Sequence, residues 1–119
     1  MIKLLKDLVP YVIVTGSYAE GKQTAYSDID FYIKMRPEDE YNPEDPKSEE
    51  TYVSEIITII EKHGYKWGSV FVSSIHVDNT PIKLEFSAYY QVDLDHIFTL
   101  NILGVNFQAA KSTYEKGSN

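Results

Sequence analysis

At 119 residues, with 43% hydrophobic and 24% charged residues, the chain has the composition of one globular domain, residues 1–119, with a modest core. The absence of cysteine excludes disulfides, thiolate metal sites and cysteine nucleophiles. A net charge of −7 argues against broad binding to nucleic acid, which is driven by Lys and Arg displacing counter-ions from phosphates. No apolar run approaches the roughly 18 residues of a membrane span, and MIKLLKDLVP carries neither a full apolar segment nor a small-residue cleavage site. A cytoplasmic location without membrane contact is therefore the expectation.

In chain order, Ile2, Leu5, Leu8 and Val9 share one helical face, and Pro10 ends that helix. Tyr11 to Thr15 reads as an apolar strand, Gly16-Ser17 as a turn, and Tyr18 to Ala25 as a helical turn. A second strand is predicted over 28–34, with Ile29, Phe31 and Ile33 on its apolar face. Residues 36–50, with three prolines and seven acids, read as a mobile acidic loop. Asp45 as N-cap and Pro46 at the first helical position then open a helix along which Val53, Ile56, Ile57 and Ile60 recur. Lys62 and His63 suit the negative end of that helix before Gly64, which explains His63 without a metal.

Ser69 to Val77 and Ile82 to Tyr89 are predicted as two strands of an antiparallel hairpin joined by the turn-forming stretch DNTP. Asp78 falls in that turn as a turn former, His76 reads as a structural histidine, and Trp67 as a core or edge plug. A last strand over 96–103 and a short helix over 108–115 complete the reading. The ten tyrosines are expected mostly as sheet residues with wet hydroxyls.

The chemistry concentrates at 11–33. Alternation along a strand points Asp28 and Asp30 the same way, with Ile29 and Phe31 on the other side. Two carboxylates on one patch repel each other unless a cation lies between them, and a divalent metal would supply it. Gly16, without a side chain, lets backbone amides approach a phosphate, and Ser17 adds a hydroxyl donor. Lys22 could reach a phosphate as a point charge. In PIKLEFSAY, Leu84 and Phe86 would face a core, leaving Glu85 on the opposite face with Lys83 and Ser87.

Gly16-Ser17, ten intervening residues and Asp28-Ile29-Asp30, with Ala19, Gly21 and Ser27, resemble the signature of the nucleotidyltransferase superfamily related to DNA polymerase beta, and look most like its minimal, single-domain members. Tyr18 and Glu20 stand in a loop where such proteins often carry Arg. The resemblance implies an α/β (α+β) fold, a small mixed, twisted sheet with helices mainly on one face. It implies that Gly16 and Ser17 hold the triphosphate of an NTP such as ATP. Asp28, Asp30 and Glu85 would be catalytic and would hold two Mg²⁺ ions, or Mn²⁺. The implied activity is transfer of a nucleoside monophosphate to a hydroxyl or phosphate acceptor with release of pyrophosphate. By the same resemblance, Lys111, Ser112 and Tyr114 are minor candidates for nucleotide contacts. The small size implies a protein acceptor, such as the helical toxin partner of an antitoxin-like protein, or a homodimer that completes the site. A phage or mobile-element enzyme acting on a small molecule is equally compatible. The alternative is a catalytically inactive module that binds a nucleotide or a partner.

Overall fold

The computed structural model describes residues 1–33, 47–71, 74–86, 90–92, 97–111 and 113–115. Four consecutive buried residues, Val12 to Thr15, form strand β1 (Val12–Thr15), and burial on both faces makes it a central strand. Ahead of it, helix α1 (Ile2–Leu8) buries Leu4, Leu5 and Leu8. Pro10 then directs the chain through a 3-10 turn, Val9–Tyr11, so the strand starts after Tyr11. Helix α2 (Gly16–Glu20) follows β1 directly and stops at Gly21, whose left-handed φ of 72° caps it. The helical turn expected over 18–25 therefore starts at Gly16 and ends sooner. Strand β2 (Ile29–Ile33) lies inside the predicted 28–34 range and pairs antiparallel with β1.

Helix α3 (Lys47–Lys62) turns Ile56 and Ile60 into the core, at the predicted spacing. Its described start lies within the range expected as loop; residues 34–46, with the rest of the acidic loop and its Asp45-Pro46 start signal, lie outside the described residues. At its far end His63 Nε2 lies 2.6 Å from Asp7 Oδ2, tying α3 to α1, and Gly64 follows with φ 83°.

The strand expected over 69–77 is two strands. β3 (Trp67–Phe71) and β4 (Ser74–Val77) pair antiparallel, so the chain reverses between them. The run VFVSSI contains no Gly, Pro, Asn or Asp to mark the reversal, and its β-branched residues fit a continuous strand as well as two short ones. β4 and β5 (Ile82–Glu85) form the predicted hairpin, in which Asn79 takes φ 62° and Thr80 Oγ1 donates to the Val77 carbonyl at 2.8 Å. Trp67 heads the edge strand, and its Nε1 donates to Glu61 Oε1 at 3.1 Å.

Strands β6 (Tyr90–Val92), β7 (Phe98–Ile102), β8 (Val105–Ala109) and β9 (Thr113–Glu115) follow, and β6 pairs with β9 in a separate two-stranded sheet. The helix expected over 108–115 is thus absent from the described residues of that range. In V-N-F-Q-A, Val105, Phe107 and Ala109 are buried while Asn106 and Gln108 are exposed, a period of two that selects strand. Leu103 and Gly104, both at positive φ, close the β7–β8 hairpin, the backbone that two-residue turns require.

The main sheet runs β3-β4-β5-β2-β1-β8-β7, with β2–β5 and β1–β8 parallel and its other pairs antiparallel. It is the mixed α+β architecture that the resemblance implied. α1 and α3 pack on one face, where Leu4, Leu8, Ile56 and Ile60 meet Val12, Val14, Phe31, Leu84 and Phe107. On the other face a smaller cluster joins Ile13, Tyr32 and Ala110. No helix among the described residues is long and apolar enough to cross a membrane.

Phe31 and Phe107, fully buried with ring centroids 5.1 Å apart, sit at the centre of the larger core. Phe31→Ala is expected to lower the unfolding free energy in urea titrations by about 3–5 kcal/mol. Ile2→Ala, at a half-exposed position, should change it by no more than about 0.5 kcal/mol.

Candidate active site

Antiparallel pairing sets Thr15 opposite Asp30, so the residue that follows β1, Gly16, lies over the Asp30 side chain. Gly16 takes φ 68°, and a Cβ built on it would collide with the Asp30 carboxylate, meeting Oδ2 and lying 3.1 Å from Cγ. Only glycine meets both demands, a left-handed backbone and an empty space for the acid. The Gly-Ser turn and the second aspartate are thereby in direct contact. Ser17 is half-buried in the first turn of α2, and the Ser17 carbonyl accepts from the Lys22 amide at 2.9 Å, which closes the helix. Lys22 itself is exposed beyond Gly21.

Asp28 is exposed just ahead of β2 and follows a turn of its own, in which the Thr24 amide donates to Ser27 Oγ at 2.8 Å. The start of β2 is anchored to the neighbouring hairpin by the Ile29 amide, which donates to the Pro81 carbonyl at 2.7 Å. These bonds fix where the two aspartates emerge from the sheet.

The parallel register of β2 with β5 places Lys83 beside Asp30, and Glu85 beside Tyr32. Glu85 therefore shares the face of Asp30, as alternation predicts, but two residues further along the strand, roughly 6.5 Å. Its Oε1 lies 3.3 Å from Lys83 Nζ. Among the described residues no three His, Asp or Glu side chains are gathered closely enough to hold a metal ion between them. The acids nonetheless feel one another. Burial pushes the Asp30 carboxyl above its ordinary value of 3.8; Lys83 offsets part of the rise, and Glu85 and Asp28 add to it by like charge.

That electrostatic setting is the test of fit for a divalent cation. A half-buried carboxylate with two further acids in range and hard oxygen donors offers the chemistry Mg²⁺ takes, one or two carboxylates with the remaining positions left to water and phosphate. Asp28 and Asp30 are donors of that kind, and Glu85 is not gathered with them as a third. Across the same face, β4 sets His76 opposite Lys83 and Ser74 opposite Glu85. Ser74 Oγ is buried without a hydrogen-bond partner among the described residues; leaving such a group unsatisfied costs about 1–3 kcal/mol.

A family model described as a nucleotidyltransferase domain matches residues 2–91, a span that includes Gly16, Ser17, Asp28, Asp30 and Glu85. The chain belongs to the nucleotidyltransferase domain family. No curated protein and no solved structure matches it. Two further residues stand on the candidate site face without having been singled out as functional from sequence. Lys83 was legible through its alternation with Glu85. Ser74 was not, because its place depends on a strand register that the sequence leaves undefined. Of the minor candidates beyond the family match, Lys111 is exposed, Ser112 lies outside the described residues, and Tyr114 is in β9.

Two outcomes follow from this geometry. Gly16→Ala is expected to destabilise the fold by at least about 1–2 kcal/mol from backbone strain alone and to displace Asp30, which urea titration and nucleotide binding would register together. Asp30 binds its proton more tightly folded than unfolded, so its penalty is fully present above the folded pKa and disappears below the unfolded value near 3.8. Asp30→Asn should therefore raise the melting temperature at pH 7 in chelator, by an amount that shrinks as pH falls toward 3.8.

Proposed function

We propose that this chain is a metal-dependent nucleotidyltransferase that transfers a nucleoside monophosphate from an NTP to a hydroxyl or phosphate oxygen of an acceptor, a protein partner or a small molecule. The acceptor oxygen bonds to the α-phosphorus, the bond from that phosphorus to the bridging oxygen breaks, and pyrophosphate leaves. The observation that carries the reading is the fit of the Asp30 carboxylate into the space that Gly16 lacks a side chain to fill. It joins a phosphate-binding turn to a metal-binding acid within a chain of the matching family.

In this reading Asp28 and Asp30 hold the ions, and Glu85 serves the acceptor side. Bound there, Mg²⁺ or Mn²⁺ would neutralise charge on the phosphates and lower the pKa of an acceptor hydroxyl. The chain supplies position and charge, which dominate phosphoryl-type transfers. Gly16 opens the backbone amides to the triphosphate, Ser17 donates its hydroxyl, and Asp30, half-buried, keeps one carboxylate oriented while limiting water around it. Lys22, on the exposed end of the same loop, adds a mobile positive charge on the phosphate side.

A second reading, a nucleotide- or partner-binding module without catalysis, is favoured by one contact. The Lys83–Glu85 ion pair gives the acidic face a cation of its own, which offsets part of its charge without a metal. Incubation with Mn²⁺ and each α-labelled NTP, with and without cell extract, separates the two. The enzyme reading expects label on an acceptor and a fall of at least about 10²-fold in Asp30→Asn, the size of effect seen when a preorganised charge is removed from a reacting centre. Metal-dependent NTP binding with no transfer in any mixture would leave the nucleotide-binding module, and absence of NTP binding would sink the enzyme and leave a partner-binding module alone.

A further inference from the structure

Counted along β2 and its parallel neighbour β5, the charged residues of the acidic face fall in a fixed order. Asp28 comes first, just ahead of β2; Asp30 and Lys83 follow side by side, and Glu85 comes last, beside Tyr32. Glu85 is therefore offset from Asp28 by roughly 13 Å along the strand direction, with Lys83 at a level between them. Alternation points Lys83 and Glu85 to the face of Asp30. The lysine acts on both neighbours. Its Nζ lies 3.3 Å from Glu85 Oε1, and its charge opposes the rise in proton affinity that burial brings to Asp30. The third acid thus already has a cation. An ammonium group and a divalent ion repel each other, so Lys83 disfavours a metal ion at the Glu85 end of the face.

We propose that the site takes a single divalent ion through Asp28 and Asp30, without Glu85, and that Lys83, held by Glu85, is the cation of the acceptor side. Glu85 is then a positioning residue for an ammonium group and not a metal ligand. The proposal rests on the metal-dependent reading above and narrows it to one ion and one lysine. It also accounts for the failure of Glu85 to gather with the two aspartates. A lysine suits that place. It is a compact point charge on a flexible stem, able to neutralise charge that develops on an oxygen during transfer. An ammonium group carries three donors, so a bond to Glu85 does not by itself exhaust it. Register fixes the lysine beside Asp30, so the charge stays next to the end of the face that takes the ion.

Calorimetric titration with Mn²⁺ tests this on wild type, Asp28→Asn, Glu85→Gln, Lys83→Arg, Lys83→Met and the double variant Lys83→Met with Glu85→Gln. Asp28→Asn should weaken the Mn²⁺ site at least about tenfold, since loss of even an outer-shell group that orients a metal ligand costs that much. Glu85→Gln should change it far less. Lys83→Met opens the Glu85 end, so it should bind a second Mn²⁺ and lose that ion again when Glu85→Gln is added. Lys83→Arg, which keeps the charge, should stay at one. A fall in Glu85→Gln as large as that in Asp28→Asn makes Glu85 a ligand and overturns the proposal, with the metal-dependent reading intact. Two Mn²⁺ ions in the wild type, or a second ion in Lys83→Met that survives Glu85→Gln, overturn it as well. A wild type that binds no Mn²⁺ overturns both. If Lys83→Met fails to fold, the comparison of Glu85→Gln with Asp28→Asn still decides.

Discussion

The close approach of the Gly16 backbone to the Asp30 carboxylate is the constraint on which the rest of the site depends. It follows from one strand register. With Thr15 across from Asp30, the first residue after β1 must pass over the acid, and a side chain there would push the acid aside. The left-handed φ at Gly16 then turns the chain at once into α2, so the helix start and the carboxylate occupy the same end of the sheet. The central position of β1 and β2 makes this register hard to slip. A shift by one residue would move Phe31 and Val14 out of the core and bring Asp30 into it.

The acidic face is a charge problem that the chain solves only partly. Asp30 is drawn up in proton affinity by burial and by two neighbouring acids, which means that the folded state carries an uncompensated cost at neutral pH. Lys83 offsets some of it from the register position next to Asp30. A face that only needed to fold could replace Asp30 with a neutral residue and become more stable. Retaining an acid at a cost in stability is the pattern expected where charge serves a ligand.

Much of this was legible in the sequence, and for definable reasons. Alternation of IDFYI and IKLE assigns the faces of β2 and β5 without knowledge of their partners, and the spacing of Val53, Ile56, Ile57 and Ile60 fixes α3. The Gly16-Ser17 and Asp28-Asp30 pattern marked the candidate site, and the family match spans it. What escaped, the β4–β5 hairpin apart, was what pairing between strands sets. The offset of Glu85 from Asp30 by two residues depends on where β5 begins beside β2, and the run between β3 and β4 carries no Gly, Pro, Asn or Asp to announce the reversal. The tail misled for a different reason. Its alternating V-N-F-Q-A is a strand signal, but Gly104 before it resembled the turn that precedes a helix, and only packing of Phe107 against Phe31 decides between them.

That tail also bears on how the site is supported. The family match ends at residue 91, before β7 and β8, yet β8 is the parallel neighbour of β1, meeting it at Val14 and Ala109. The Ala110 amide donates to the Val14 carbonyl at 3.0 Å, one residue from the strand end that leads into Gly16. Without β8, the edge of β1 away from β2 would lose its ladder, and Val14 would lose much of the cover that makes β1 a central strand. Small side chains at Ala109 and Ala110, both fully buried, let the two backbones lie close there. The turn that meets Asp30 is thus held from one side by β2, which carries the acid, and from the other by a strand beyond the family match. The rigidity of Gly16 is therefore a property of three strands taken together and not of the motif alone.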